Sequence, residues 1–288
     1  MNKNSVPITQ KYGTFPNAPL TYFGGKKRLV NIILPKIPSH SIYCEPYFGG
    51  GAIFFAKEPS YLEVINDKNS MLINFYKQIR NNFHSLQKKI EATLYSETMY
   101  EEMIAIYSGR KKATALKKAV ATFLVFNQSR YATPERGWVF DNGTGGSHRG
   151  VIYRHKVDNF ADWLQKRLRY VQISCRDAKS VIKERDTPKT FFYLDPPYID
   201  AYQGHYSGFD ISDMEKLLKI LSGIKGKFLL SNYHFEHDLE LCKTYGFTLD
   251  EISVPRTINN GSKPNGKTEI LIRNYQNQQS FQQQLLFK

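Results

Sequence analysis

The chain has 288 residues, 41% of them hydrophobic, and its 40 Lys and Arg against 26 Asp and Glu leave a formal net charge of +14. This length allows one large hydrophobic core or two smaller ones, and the composition is that of an ordinary globular protein. No apolar run approaches the roughly 18 residues that a membrane-spanning helix needs, and residues 1–5 lack the apolar core of a signal peptide. We therefore expect a cytoplasmic protein with no membrane partner.

The positive charge is concentrated in one part of the chain. Residues 81–169 contain 15 Lys and Arg and 8 Asp and Glu, which is about half of the excess in under a third of the sequence. An excess of this size favours a polyanionic partner, because each contact to a phosphate releases condensed counterions. The alternative is a basic surface that only keeps the protein soluble. The segment is thus a candidate nucleic-acid-binding module.

The three cysteines, Cys44, Cys175 and Cys242, lie far apart in the sequence. This spacing argues against a disulfide framework and against a zinc site, so we expect no metal. We expect all three side chains to be buried as small hydrophobic residues.

A segment with two adjacent glycines follows an irregular, proline-interrupted stretch that ends near residue 19. Gly24 and Gly25 allow the backbone to approach a ligand closely, and residues 29–34 predict a helix directly after them. The segment lacks the G-x-x-x-x-G-K-[ST] pattern, which excludes a nucleoside triphosphate site of that type.

The next unit opens like a Rossmann fold. Residues 41–44 predict a strand, residues 45–51 a glycine-rich loop and the following residues a helix. The G-x-G-x-x-G spacing is not met, which weakens a dinucleotide site. A second strand over 61–65 ends at Asp67, which can accept a hydrogen bond from the ribose of an adenosine-containing cofactor. Alternatively, Asp67 caps the helix that begins near Met71.

Apolar residues recur at helical spacing through much of residues 69–128, which predicts helices with their apolar stripes in the core. From Asn127 to Trp138 cations alternate with aromatic residues, and the chain through Arg149 is rich in Gly, Asn and Ser. Interleaved aromatic and basic side chains suit contacts to bases and phosphates. A solvated loop between helices fits this composition equally well.

The tetrapeptide Asp195-Pro196-Pro197-Tyr198 follows an apolar run, residues 190–194, that predicts a buried strand of a parallel sheet. Pro196 ends the strand ladder because it has no N–H to donate. A carboxylate, a carbonyl and an aromatic ring then project together from the carboxyl edge of the sheet, where ligands bind in open α/β folds. A strand-end turn with a solvated Asp is the alternative.

Further strands are predicted over 170–175, 227–232, 247–254 and 268–274, with a basic loop between the last two. Ser212 and Glu215 predict a capping box at the start of a helix. The Gln-rich residues 276–288 predict a frayed tail.

Together these segments resemble the Dam-like family of DNA adenine-N6 methyltransferases, in the arrangement with cofactor motifs first, target recognition second and catalysis third. The similarity spans about residues 20–274 and is carried by segments 22–26, 45–51, 195–198 and 269–274, with acids at Asp67 and Asp177. It implies an α/β fold in which residues 1–80 and 170–288 form a seven-stranded Rossmann-like catalytic domain. Residues 81–169 would then be an inserted, mainly helical domain that recognises the DNA target.

The resemblance also implies S-adenosylmethionine as the cofactor and double-stranded DNA as the substrate, with a monomer and a cognate restriction endonuclease as candidate assembly and partner. The Asp195 carboxylate and the Pro196 carbonyl would accept hydrogen bonds from the adenine amine, and Tyr198 would stack on a base that has left the duplex. The residues implied at the cofactor are Tyr22, Gly24, Gly25, Lys26, Glu45, Pro46, Phe48, Gly49, Gly50, Gly51, Asp67, Asp177 and Asp195. Our candidates for DNA contacts are Arg130, Tyr131, Arg136, Arg149 and Arg154.

Two departures from the family pattern concern the recognition sequence. Members that read GATC often have Lys where this chain has Thr21, and the segment after Asn127 differs from theirs except near Arg130-Tyr131. The resemblance therefore leaves the recognition sequence open, GATC included.

Cytosine-N4 methylation is the nearest alternative, and Asp rather than Ser at position 195, with this motif order, favours adenine. RNA methylation, a non-catalytic DNA-binding relative and a nicotinamide dehydrogenase fit the motifs less well. No Cys follows a Pro, so the nucleophile expected in cytosine-C5 methyltransferases is absent.

Overall fold

The computed structural model of the protein describes residues 18–22, 24–142, 148–199, 209–252 and 268–276. Within these ranges no helix is both long and apolar enough to cross a membrane. The predicted basic loop between the last two strands and almost all of the predicted Gln-rich tail lie outside the described residues.

Seven strands form one sheet in the order β3-β2-β1-β4-β5-β7-β6. Strands β1 to β5 are parallel, and β7 runs antiparallel between β5 and β6. The strands are β1 Ile42–Glu45, β2 Leu62–Asn66, β3 Gln172–Ser174, β4 Thr190–Leu194, β5 Lys227–Tyr233, β6 Thr248–Ile252 and β7 Glu269–Arg273. All seven lie where apolar runs predict them, and the α/β class is confirmed.

Eleven α-helices occur in the described ranges. Six short helices and five of ten residues or more connect the strands: α1 Val30–Ile33, α2 Ala52–Ala56, α3 Ser70–Asn81, α4 Phe83–Glu91, α5 Glu97–Tyr107, α6 Ala115–Gln128, α7 Arg149–Asp158, α8 Trp163–Leu168, α9 Ala178–Arg185, α10 Ile211–Leu221 and α11 Asp238–Tyr245. Single 3₁₀ turns over Lys26–Leu29 and Leu34–Lys36 flank α1, so the predicted helix at 29–34 is a series of short turns.

The helices cover both faces of the sheet. Adjacent residues of a strand point to opposite faces, so Phe191 lies in one core and Phe192 in the other. The first core also contains apolar residues of α1 to α8, whereas the second contains those of α9 to α11. Residues 81–169 therefore share one buried cluster with the first helices of the chain. Their separation as a domain stays a prediction.

Two details predicted from sequence are wrong. Asp210, not Ser212, caps α10, because its side chain accepts a hydrogen bond from the backbone N–H of Asp213. Cys175 is exposed, since it follows the short strand β3 at the edge of the sheet, while Cys44 and Cys242 are buried as expected.

The order of the strands creates a crevice beside the carboxyl end of β1. β1 pairs with β2 on one side and with β4 on the other, so the chain changes its direction of winding between β1 and β4. In open α/β sheets this switch point is where ligands bind. The glycine-rich loop follows β1 and Asp195 follows β4, so the fold brings the two predicted motifs to one place.

Candidate active site

A cavity of about 1290 Å³ lies at this switch point. It is larger than the roughly 300–1,000 Å³ of an ordinary small-molecule pocket, which leaves room for two ligands side by side. Most of the predicted site residues line it, namely Tyr22, Gly24, Gly25, Lys26, Glu45, Phe48, Gly49, Gly50, Gly51, Asp67, Arg130, Tyr131, Arg149, Asp195, Pro196 and Tyr198.

Four predicted residues lie outside the cavity lining. The carbonyl of Pro46 accepts a hydrogen bond from the Asn66 side chain, at 2.9 Å. The Asp177 carboxylate caps α9, and Arg154 forms an ion pair with Asp158, with 3.0 Å between the charged atoms. The fourth is Arg136, whose guanidinium lies 5.8 Å from the centre of the Tyr131 ring. Direct roles for these four in ligand binding stay predictions.

The glycine-rich loop is shaped by Tyr22. A Cβ added to Gly50 would lie 2.8 Å from the Cβ of Tyr22, and Gly49 has a φ of +49° with the Tyr22 ring 2.9 Å from its would-be Cβ. The other side of the Tyr22 ring packs on Phe126 of α6, with 5.2 Å between ring centres. The sequence predicts a close approach of a ligand only at Gly24 and Gly25, whereas Gly49 and Gly50 make space for a protein side chain.

A second contact joins the same segment to α6. Both the backbone N–H and the hydroxyl of Thr21 donate to the Asn127 side-chain oxygen, at 3.0 Å each. The Asn127 amide in turn donates to the carbonyl of Pro19, at 3.2 Å. Thr21, which departs from the family pattern, thus uses its backbone N–H and its hydroxyl in hydrogen bonds within the protein.

Asp67 holds the glycine-rich loop from the end of β2. Its carboxylate accepts hydrogen bonds from the backbone N–H groups of Gly49 and Asn69, at 2.8 Å each. The cap of α3 is Asn69, whose side chain accepts from two backbone N–H groups of the first turn. The alternative in which Asp67 caps this helix is therefore wrong.

A buried ionic cluster lies beneath Asp195. The Lys26 ammonium is 2.9 Å from the Oδ1 of Asp195 and 3.2 Å from the Oε1 of Glu269. Lys26 also contacts the Tyr198 hydroxyl, which donates to Glu269 Oε1 at 2.8 Å. The hydroxyl of Ser231 donates to the same oxygen at 2.6 Å. One cation therefore lies between two carboxylates.

Burial and charge shift the pKa values of this cluster in different directions. Burial raises the pKa of Asp195 to about 6, although the Lys26 ammonium opposes that shift. Burial alone would lower the pKa of Lys26, but the carboxylates of Asp195 and Glu269 outweigh it and hold that pKa above its usual value. At neutral pH the Asp195 carboxyl is therefore ionised and can accept hydrogen bonds.

Glu45, at the end of β1, differs from Asp195 in its electrostatics. It is buried and accepts a hydrogen bond from the Tyr43 hydroxyl at 2.7 Å. Burial raises the pKa of the Glu45 carboxyl well above its usual range. The cavity therefore has two carboxyl groups of unlike acidity on the two sides of the switch point.

Tyr198 is packed on one face by Tyr233, with ring centres 4.3 Å apart and the planes at 29°. The ring is only 6% exposed, yet it lines the cavity. Its hydroxyl is fixed by Glu269, so the plane of the ring is set by contacts at its face and at its tip.

Several basic side chains besides Lys26 line the cavity. They are Lys27, Arg28, Arg130, Arg149 and Lys156. Burial, together with the charge of Lys27, lowers the pKa of Lys156 to about 8. Next to these cations, Tyr131 is 68% exposed and has a φ of +56°, a backbone conformation that is uncommon for a residue other than glycine. A polyanion would find both charge and an aromatic ring here.

Comparison with known families decides the class. The model of the D12 class N6 adenine-specific DNA methyltransferases matches residues 22–258. The chain belongs to this family. The predicted relationship is confirmed, and the protein is a DNA methyltransferase whose substrate is DNA.

Relatives of this methyltransferase are known from bacteria and archaea. The type II methyltransferase M1.LlaDCHI of Lactococcus lactis subsp. cremoris is 27% identical over 88% of this chain and 94% of its own length. The type II methyltransferase M.MjaIII of Methanocaldococcus jannaschii is 24% identical over 89% of this chain and 98% of its own. The modification methylase StsI of Streptococcus sanguinis is 26% identical, and the match covers 96% of this chain but 45% of StsI.

Sequence patterns did not single out several residues of the methyltransferase site. Glu269 stands at the start of the last strand motif, for which the sequence predicts a strand but no side chain in the site. Ser231 and Tyr233 lie at the end of β5. Their position at the end of a buried apolar run is the sequence feature that could have placed them at the site. Lys27, Arg28 and Lys156 contribute to the positive charge of the sequence, but the sequence does not predict that they lie at the cavity.

The contact between Tyr22 and the glycine-rich loop predicts that Gly50→Ala destabilises the methyltransferase by about 1–3 kcal/mol, because the added methyl group overlaps a packed side chain. The measurement is chemical denaturation of the purified protein. Gly223→Ala is the matched control, since the nearest atom to its added Cβ is 3.7 Å away. Equal stability of the two variants would contradict the packing described for Tyr22.

Proposed function

We propose that this methyltransferase transfers a methyl group from S-adenosylmethionine to the N6 amine of adenine in double-stranded DNA. The target base leaves the duplex and enters the cavity at the switch point. The observation that carries the proposal is the position of Asp195 and Pro196 in the same cavity as the glycine-rich loop and Asp67.

The residues at the end of β1 and β2 fit the cofactor. Asp67 lines the cavity at the end of β2, and an acid at this position of a Rossmann-like sheet can accept a hydrogen bond from a ribose hydroxyl. Glu45, Phe48 and Gly51 line the same side of the cavity and supply a carboxyl group, an aromatic face and a close backbone approach. S-adenosylmethionine supplies a methyl group that is already activated by its sulfonium.

The other side of the cavity fits the amine. The lone pair of an adenine amine is delocalised into the ring, so the nitrogen is a weak nucleophile. Acceptors aimed at its two N–H bonds favour a pyramidal nitrogen and stabilise the positive charge that develops on it. The ionised Asp195 carboxylate and the Pro196 carbonyl perform this role. Alignment of the amine with the methyl group supplies much of the remaining acceleration.

Tyr198 holds the extruded base. One face of its ring packs on Tyr233, and the ring reaches the cavity beside Gly24, whose would-be Cβ lies 3.4 Å from it. Stacking on a fixed ring offsets part of the free energy needed to take a base out of the duplex.

The family favours adenine over the cytosine-N4 alternative, and the intact tetrapeptide favours an enzyme over a non-catalytic relative. We extend the proposal to a monomer in the cytoplasm that protects DNA from a cognate restriction endonuclease. The support is that relatives carry the names type II methyltransferase and modification methylase.

The first prediction tests the function itself. Expression in a host without DNA methylation should place N6-methyladenine at one sequence motif, which single-molecule sequencing maps. Asp195→Ala should abolish this modification while S-adenosylmethionine binding, measured by calorimetry, largely survives. Undiminished methylation by Asp195→Ala would refute the role of its carboxylate. Cytosine modification by the wild-type protein in this host would replace the adenine assignment.

A second prediction concerns base capture by Tyr198. Tyr198→Ala should weaken it by about 1–3 kcal/mol because the stacking surface is lost. Tyr198→Phe keeps the ring and should retain most of the capture. The measurement is the fluorescence of 2-aminopurine placed at the target position of the mapped duplex. If Tyr198→Ala gives the wild-type signal, the ring only packs beneath the turn.

A third prediction concerns the basic side chains of the cavity. Arg149→Ala and Lys156→Ala should each reduce the slope of log K against log salt concentration by about one, because one phosphate contact is lost. Binding to the mapped duplex is titrated at several salt concentrations. Lys219→Ala on α10 is the control, because that helix lies in the other core. A slope equal to that of the wild type would remove these residues from the DNA interface.

A further inference from the structure

The cluster of Lys26, Asp195 and Glu269 is larger than the proposed reaction requires. Methyl transfer uses the Asp195 carboxylate, yet a second buried carboxylate lies on the same ammonium, 3.2 Å away. Glu269 Oε1 also accepts hydrogen bonds from Tyr198 and Ser231. A single oxygen atom of Glu269 therefore connects to the group that accepts the amine and to the ring that holds the base.

The antiparallel strand explains how Glu269 reaches the site. Parallel strands present their last residues at the carboxyl edge of the sheet, whereas β7 presents its first residue there. Glu269 is that residue, and it is paired with Tyr233 of β5 and Ile252 of β6. The residue is only 6% exposed. Its place next to Asp195 thus follows from the direction of β7.

The charge balance argues against packing as the sole purpose of this arrangement. Two carboxylates and one ammonium leave the buried cluster with an excess negative charge when all three are ionised. Burying ions is unfavourable unless each is well paired, and well-packed apolar side chains of similar size often replace such clusters without loss of stability. The cluster does, however, set the state of Asp195, because Lys26 favours its ionised form and Glu269 opposes it.

We propose that Glu269 is a positioning residue of the methyltransferase, which holds the Lys26 ammonium on one oxygen of Asp195 and fixes the Tyr198 hydroxyl. The second oxygen of Asp195 is then presented to the amine. Lys26 acts together with Glu269 in this arrangement, as the counter-ion of Asp195. This inference rests on the proposed function.

The pH dependence of methyl transfer should depend on the contacts among Lys26, Asp195 and Glu269. The groups that face Asp195 are Lys26 from the N-terminal motif, Glu269 from β7, Glu45 from β1, Tyr193 from β4 and Tyr233 from β5. The rate should fall as pH decreases through the pKa of Asp195, since the protonated carboxyl is a poorer acceptor. Removal of a neighbouring negative charge lowers that pKa, and removal of a neighbouring positive charge raises it.

The experiment compares Glu269→Gln with Lys26→Met. Single-turnover methylation of the mapped duplex is followed across pH with saturating S-adenosylmethionine. The midpoint of the acidic limb should move to lower pH in Glu269→Gln and to higher pH in Lys26→Met, with a separation of at least about one pH unit. Both variants should also lose rate at their optimum. Glu269→Asp keeps the charge and should keep the wild-type midpoint.

Two controls separate positioning from stability. Glu251→Gln neutralises an exposed carboxylate on the adjacent strand β6 and should leave rate and midpoint unchanged. Where a variant is too slow to assay, NMR titration of the ¹³C-labelled Asp195 carboxyl measures the same midpoint without activity.

A folded Glu269→Gln variant with the wild-type midpoint would overturn the inference. If Glu269→Gln does not fold, the Lys26→Met variant provides the test. A midpoint of its acidic limb that does not rise above that of the wild type would also overturn the inference. A wild-type protein that methylates nothing would instead refute the proposed function.

Discussion

Parallel pairing between β1 and β4 is the constraint on which the rest of the structure depends. The two strands are about 145 residues apart in the chain, yet Cys44 lies opposite Phe192 in register. Because β2 occupies the other side of β1, this pairing reverses the direction of winding and opens the crevice at the carboxyl edge. A loop that ends β1 and a tetrapeptide that ends β4 then form the walls of one cavity. A reaction between two separate ligands needs walls of this kind, since each ligand requires its own set of contacts.

Features with a local cause could be predicted from the sequence. Residues 190–194 form β4 as predicted, because a short aromatic and β-branched run ended by proline has few other solutions. Features that depend on distant chain segments could not. No sequence pattern states the direction of a strand, so Glu269 was predicted as part of a strand without a place in the site. Likewise, the sequence predicts a glycine-rich loop that contains Gly50, but whether Tyr22 or a ligand fills the space beside Gly50 depends on the tertiary fold.

The helix ends show where local rules are ambiguous. Both Asp210 and Ser212 are good capping residues, and both Asp67 and Asn69 precede α3, so residue preference does not decide which residue is used. In each case the structure uses the side chain that reaches the free N–H groups of the first turn. The sequence does not predict helix α7, for a different reason. Only Tyr153 and Val157 are buried in it, so its apolar stripe is too sparse to stand out.

In the proposed reaction, the contacts of Tyr198 would connect base binding with amine activation. Its hydroxyl and the Lys26 ammonium meet on Glu269, and Lys26 also holds Asp195. Under the proposed mechanism, a shift of the ring would disturb the ammonium, and through it the carboxylate assigned to the amine. Lys26 and Glu269 are almost completely buried, so the contacts between them are stronger than they would be in water. A base that stacks correctly on Tyr198 would meet an acceptor already in place, whereas a misplaced base would disturb the contacts that keep Asp195 oriented. In the proposed mechanism, the Glu269 carboxylate would thereby connect the selection of the base with the methyl transfer to it.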